Sequence, residues 1–82
     1  MIEKKIRDLI EDTVNGHGYV IDSIKYEKDG NNYFLRIVLD RDKIIDIDSI
    51  VEITNIINPL LDKSNILEDS YILDISSKEK GN

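Results

Sequence analysis

The first pattern along the chain is helical. Ile2, Ile6, Leu9, Ile10, Thr13 and Val14 recur at spacings of three and four, and charged residues such as Glu3, Arg7, Asp8 and Glu11 fill the gaps. That spacing predicts an amphipathic helix with one apolar stripe. Gly16 and Gly18 are placed to end it, because glycine tolerates the left-handed conformation found at helix ends. His17, between them, reads as a solvated residue at a helix C-terminus, where positive charge is favoured.

The period then changes from 3.6 to 2. In "YVIDSIKYEKDGNNYFLRIVLD" the centre Asp29-Gly30-Asn31-Asn32 is turn chemistry, so the flanks predict a hairpin. In the second strand Tyr33, Leu35, Ile37 and Leu39 share one face, and Phe34, Arg36, Val38 and Asp40 share the other. The first strand breaks phase: Tyr19 and Ile21 set one parity, Ile24 and Tyr26 the opposite. A bulge or a late strand start near Asp22-Ser23 repairs it.

A second helix follows. Asp46 is placed as its N-cap, with Asp48 and Ser49 in the first turn. Ile47, Ile50, Ile53, Thr54 and Ile57 form the expected buried stripe, extended by Leu60 or Leu61. Pro59 removes a donor and disfavours helix at Asn58, which predicts a kink or a loosened last turn. Asp62-Lys63-Ser64-Asn65 reads as a loop. Tyr71, Leu73 and Ile75 then alternate with Ile72, Asp74 and Ser76, a closing strand.

The order helix-strand-strand-helix-strand implies an α/β two-layer fold: a three-stranded mixed sheet with two helices on one face. A helix separates the second and third strands, so they run parallel through a crossover. The most apolar strand, the second, takes the centre. Ile6, Leu9, Ile10, Leu35, Ile37, Leu39, Ile50, Ile53, Ile57, Leu73 and Ile75 are the expected core.

Eighty-two residues make one domain. There is no Cys, which leaves no material for disulfides or thiolate metal sites, and with a single His a zinc or nucleophile-base site is not expected. The glycines at 16, 18, 30 and 81 are isolated, so no phosphate loop is formed. Asp40, Asp42, Asp46 and Asp48 alternate, but Lys43-Ile44-Ile45 interrupts them and a Ca²⁺ loop needs a glycine at its turn and a closing bidentate Glu. No enzyme, cofactor, metal or small-molecule substrate is expected. No apolar run is long enough to span a membrane and no secretion signal is read, so a cytoplasmic location is expected. Seventeen acids oppose eleven bases, a net charge of -6. That opposes non-specific nucleic-acid binding and suits basic partners.

The topology is similar to type II KH domains, which bind single-stranded nucleic acid through a Gly-x-x-Gly loop between successive helices. That loop is missing here, so a KH-like RNA-binding module is the alternative reading, together with a stand-alone protein-interaction domain. A closer resemblance comes from three segments read together: "GYVIDSIKYEKDG", "FLRIVLDRDKIIDIDSIVEITNIINPLLD" and "SYILDISS". They resemble the N-terminal domain of the ribosome maturation factor RimP. The matching positions are Leu35 to Asp40, the acid-capped helix from Asp46 to Leu61 with Leu60-Leu61-Asp62 closing it, and Tyr71, Leu73, Asp74, Ile75, Ser76 and Ser77. The chain departs from the family pattern after Ser77, where Lys78-Glu79-Lys80-Gly81 replaces Pro-Gly, and at Thr54-Asn55, where Ser-Arg is frequent.

The resemblance implies a domain over residues 1–77, with 78–82 a polar tail or the start of a linker to the family's second domain, a small β-barrel. The chain is accordingly expected to be a fragment or a diverged form. It further implies a non-enzymatic role in assembling the small (30S) ribosomal subunit, with a basic ribosomal protein and rRNA as partners. Two contact surfaces are expected. One is the sheet face left open by the helices, carrying Phe34, Arg36, Val38, Ile72 and Asp74, with Lys25 and Glu27 beside them. The other is the acidic strand-helix junction at Asp40, Asp42, Asp46, Asp48 and Glu52.

Overall fold

The computed structural model describes residues 2–78. Along the chain lie α1 (Ile2–Gly16), β1 (Val20–Asp29), β2 (Asn32–Asp40), α2 (Ile47–Ser64) and β3 (Tyr71–Ser77). The sheet order is β1-β2-β3, antiparallel between β1 and β2 and parallel between β2 and β3. This is the expected two-layer α/β arrangement. The end of the expected polar tail, from Glu79, lies outside the described residues.

The local signals explain the boundaries. α1 ends in a Schellman motif: Gly18 takes φ +90°, Tyr19 N–H donates to the Val14 carbonyl at 3.2 Å, and Gly18 N–H donates to that of Asn15 at 3.0 Å. His17 is the exposed residue before the reversal. The hairpin turns on Gly30-Asn31, with Asp29 paired to Asn32 and Gly30 at φ +65°. A positive φ at the first central residue is what a type II′ turn requires. The register shifts between Ile21 and Ser23, so Asp22 is the extra residue of a bulge. The bulge lets Ile21 and then Ile24 and Tyr26 face the helices.

Both helices bury their stripes on one sheet face. Ile6, Ile10 and Val14 of α1, Ile53, Ile57 and Leu61 of α2, Leu35, Ile37 and Leu39 of β2, and Ile75 of β3 form one core cluster with Tyr19 and Ile21. Leu9, Ile50 and Leu73 are only partly buried, packed against its margin.

Two expectations about α2 are corrected. Asp62, Lys63 and Ser64 are helical rather than loop, and the helix stops at Asn65, whose φ of 54° is left-handed. Pro59 lies inside the helix. It lies on the exposed side, as does Asn55 four residues before it. The carbonyl that loses its partner therefore faces water, where it is satisfied at little cost. Ile47 does not join the buried stripe but is 80% exposed. At about 100° per residue it sits roughly 80–120° round the helix from Ile53 and Ile57, which places it on the flank.

Candidate functional site

The open sheet face is built by register. Phe34 of β2 stands opposite Ile72 of β3 and Glu27 of β1, and Arg36 stands between Asp74 and Lys25. Arg36 organises this face. Its guanidinium is paired with Glu27 and lies 3.7 Å from the Asp74 carboxylate. It also stacks 4.6 Å from the Phe34 ring centroid. Two carboxylates thereby offset the like charge of Lys25 across the ladder. Phe34 and Val38 are half-buried, and Ile72 is 46% exposed. The expected apolar patch is therefore the Phe34–Ile72 pair, with Arg36 separating it from Val38.

At the far end of this face Lys78 crosses the sheet. Its N–H donates to the Leu39 carbonyl at 2.7 Å, and its Nζ reaches the Asp22 carboxylate at 3.2 Å. The resembling family pattern has Pro at this place, which would supply neither group.

The acidic junction is not a cage. Asp46 caps α2, accepting from Ser49 N–H at 2.8 Å. That backbone hydrogen bond, with help from the Ser49 hydroxyl and the nearby Arg41 charge, holds its carboxyl below the ordinary aspartate value. Asp40 accepts from Arg41 N–H at 2.8 Å. Asp48 and Glu52 are exposed on α2. Among the described residues no group of three or more His, Cys, Asp or Glu is arranged to hold a metal ion, and no helix is long and apolar enough to cross a membrane.

The residue that the pattern did not single out is Arg41. Its side chain donates to the Tyr19 hydroxyl at 3.1 Å, to the Ile44 carbonyl at 2.7 Å and to the Lys43 carbonyl at 3.3 Å, with Ser49 Oγ at 3.4 Å. It thereby ties the β2–α2 loop to Tyr19 in the α1–β1 connection and to the first turn of α2. Sequence spacing carries no signal for contacts made to loop carbonyls. Beside it lies a cleft of about 150 Å³ between the end of α1 and α2, lined by His17, Tyr19, Arg41, Ser49 and Glu52 among others.

A wider cleft, about 440 Å³, opens between α2 and the start of β3. Asn58 and Asp62 line it from the helix, Tyr71 and Leu73 from the strand, and Glu68 and Asp69 from the loop between them. Burial and the neighbouring Asp62 charge push the Tyr71 hydroxyl above its ordinary pKa. Tyr26 stacks on Tyr33 with ring centroids 5.4 Å apart.

This architecture agrees with a comparison against protein families. A family model described as the RimP N-terminal domain matches residues 9–78, from the middle of α1 to the residue after β3. The match spans the hairpin, α2 and β3 in their observed order, and the chain belongs to the RimP N-terminal domain family, a family of ribosome maturation factors.

Proposed function

We propose that this domain works without enzymatic chemistry, assisting assembly of the small ribosomal subunit through contacts with a basic ribosomal protein and rRNA. The family match over residues 9–78 carries the reading. The surplus of acids, net charge -6, favours protein as the primary contact, since nucleic acid rewards bases. Complementary charge also steers a basic partner toward the domain and raises the rate of encounter.

The contact residues proposed are the open-face group Phe34, Arg36, Val38, Ile72 and Asp74, and the acidic group Asp40, Asp46, Asp48 and Glu52. An apolar pair rimmed by charge, as at Phe34 and Ile72, is typical of the centre and rim of an interface. Co-sedimentation with small-subunit precursors tests the reading. Wild type should pellet with the precursors. Phe34→Ser with Ile72→Ser should bind more weakly while remaining folded, and Asp46→Asn with Asp48→Asn should lose binding mainly at low salt. Wild-type binding by both folded variants would remove these surfaces, and absence of wild-type binding would remove the function.

A further inference from the structure

We propose that the outer edge of β3 and the overhanging flank of α2 together receive an extended segment of a basic protein, which adds to the sheet as a fourth strand. The inference deepens the proposed function by naming the mode of contact and the chemistry of the partner.

Three observations converge. First, β3 ends the sheet, and among the described residues it pairs only with β2. An edge strand presents backbone donors and acceptors that another chain can meet. Second, the α2 flank above that edge is apolar without an internal partner. Ile47 is 80% exposed and Val51 is 52% exposed. Asn58 and Asp62 follow each of them by eleven residues, about 20° round the helix, so all four share one flank. Asn58 and Asp62 line the cleft against Tyr71 and Leu73, so this flank overlooks β3. The other flank of α2 faces the Arg41 and α1 side, where Ser49 and Ile56 line the smaller cleft. Third, the lengths agree. From Ile47 to Asp62 the helix runs about 22 Å, and the seven residues of β3 span about 23 Å. The crossover between the parallel strands β2 and β3 sends α2 back antiparallel to β3, with Asn58 and Asp62 of its C-terminal half against Tyr71 and Leu73.

A segment of about seven residues lying along β3 would place alternate side chains beneath Ile47 and Val51. Those side chains should be aliphatic. At the Tyr71 end it would pass Asp62, Glu68 and Asp69, which selects Lys or Arg. The same acids, on a chain of net charge -6, disfavour a second copy of this domain as the occupant and disfavour RNA.

The probe is a seven-residue peptide alternating Lys and Val, capped at both ends. Its controls are a Glu-for-Lys version and one N-methylated at alternate residues, which cannot donate to a strand. Titration into the full chain should shift the β3 backbone amides and the Ile47 and Val51 methyl groups in NMR spectra. Both controls should bind at least about tenfold more weakly, a difference of about 1.4 kcal/mol. Ile47→Ser with Val51→Ser, both at exposed positions, should keep the fold by circular dichroism and lose binding to a similar degree. No shifts at millimolar peptide would overturn the proposal. So would shifts confined to Phe34 and Arg36, equal binding by the N-methylated peptide, perturbation of the same resonances by an oligouridine instead, or self-association of the chain through this edge. Failure of co-sedimentation with peptide binding retained would sink the ribosomal reading alone, and the reverse pattern would sink the added strand alone.

Discussion

The Arg41 guanidinium lies 5.1 Å over the Tyr19 ring and donates to the Tyr19 hydroxyl at 3.1 Å. One residue of the β2–α2 loop is thus anchored on the residue that closes the Schellman motif of α1. The same side chain holds the Ile44 and Lys43 carbonyls, so the loop is shaped from its own first residue. Tyr19→Phe removes one hydrogen bond and should cost about 0.5–1.5 kcal/mol. Arg41→Ala should also release the loop, seen as faster amide exchange over residues 42–48. Arg41→Lys should not restore it, since a lysine cannot meet several carbonyls and stack at once. Unchanged exchange in Arg41→Ala would show that the loop is held by other means.

Position on α2 decides what a truncation costs. Ile53 is 1% exposed and Ile47 is 80% exposed, though the two read as one stripe in the sequence. Ile53→Ala and Leu35→Ala should each cost about 2–5 kcal/mol, a large share of a small domain's stability. Ile47→Ala should stay within about 0.5 kcal/mol. Urea denaturation of the three variants separates them, and equal costs for Ile47 and Ile53 would show that the flank is packed.

This contrast marks how much of the molecule was legible beforehand. Periodicity carried the element order, the sheet order and the centre of the core, because those follow from burying one face of each element. The phase break at Asp22 was legible because a strand with two parities must carry an extra residue. The rim was harder. A stripe of isoleucines does not say where the sheet ends, so Ile47 and Ile53 look alike until the β3 edge is known. Asp62 to Ser64 read as a loop from composition alone, and the buried Leu61 keeps the helix docked through Pro59 into that stretch. Arg36 was legible as an open-face residue from strand parity, but its two ion pairs depend on register. Arg41 acts through loop carbonyls and left no spacing to read.

Asp46 gives the fold an acid-sensitive cap. The hydrogen bonds from Ser49 lower its pKa in the folded state. A depressed folded-state value means that its contribution is present above the unfolded aspartate pKa and is lost as pH falls through the folded one. Melting temperature should therefore decline in that acidic window. Asp46→Asn retains a capping acceptor and should flatten this part of the profile, whereas Asp46→Ala should lower stability at neutral pH as well. An identical acid profile in wild type and Asp46→Asn would assign the acid sensitivity to other carboxylates.

The open face should be organised by Arg36 more than it is stabilised by it. Arg36, Glu27 and Asp74 are all partly solvated, and ion pairs in water yield little because solvation and side-chain entropy nearly offset the attraction. Double-mutant cycles pairing Arg36→Ala with Glu27→Ala, and Arg36→Ala with Asp74→Ala, should each give a coupling of about 0.2–1 kcal/mol. That coupling should fade in 1 M salt, where screening acts within about 3 Å. The stacking on Phe34 should add about 0.5–1 kcal/mol that salt removes less readily. Arg36→Ala should thus remain folded while freeing the Phe34 ring, visible as averaged ring resonances and a changed environment at Ile72 opposite. A salt-resistant coupling above about 2 kcal/mol would contradict this account, because exposed pairs do not reach it. It would mean that the pairs are shielded from water in solution, as they would be if this face were already covered.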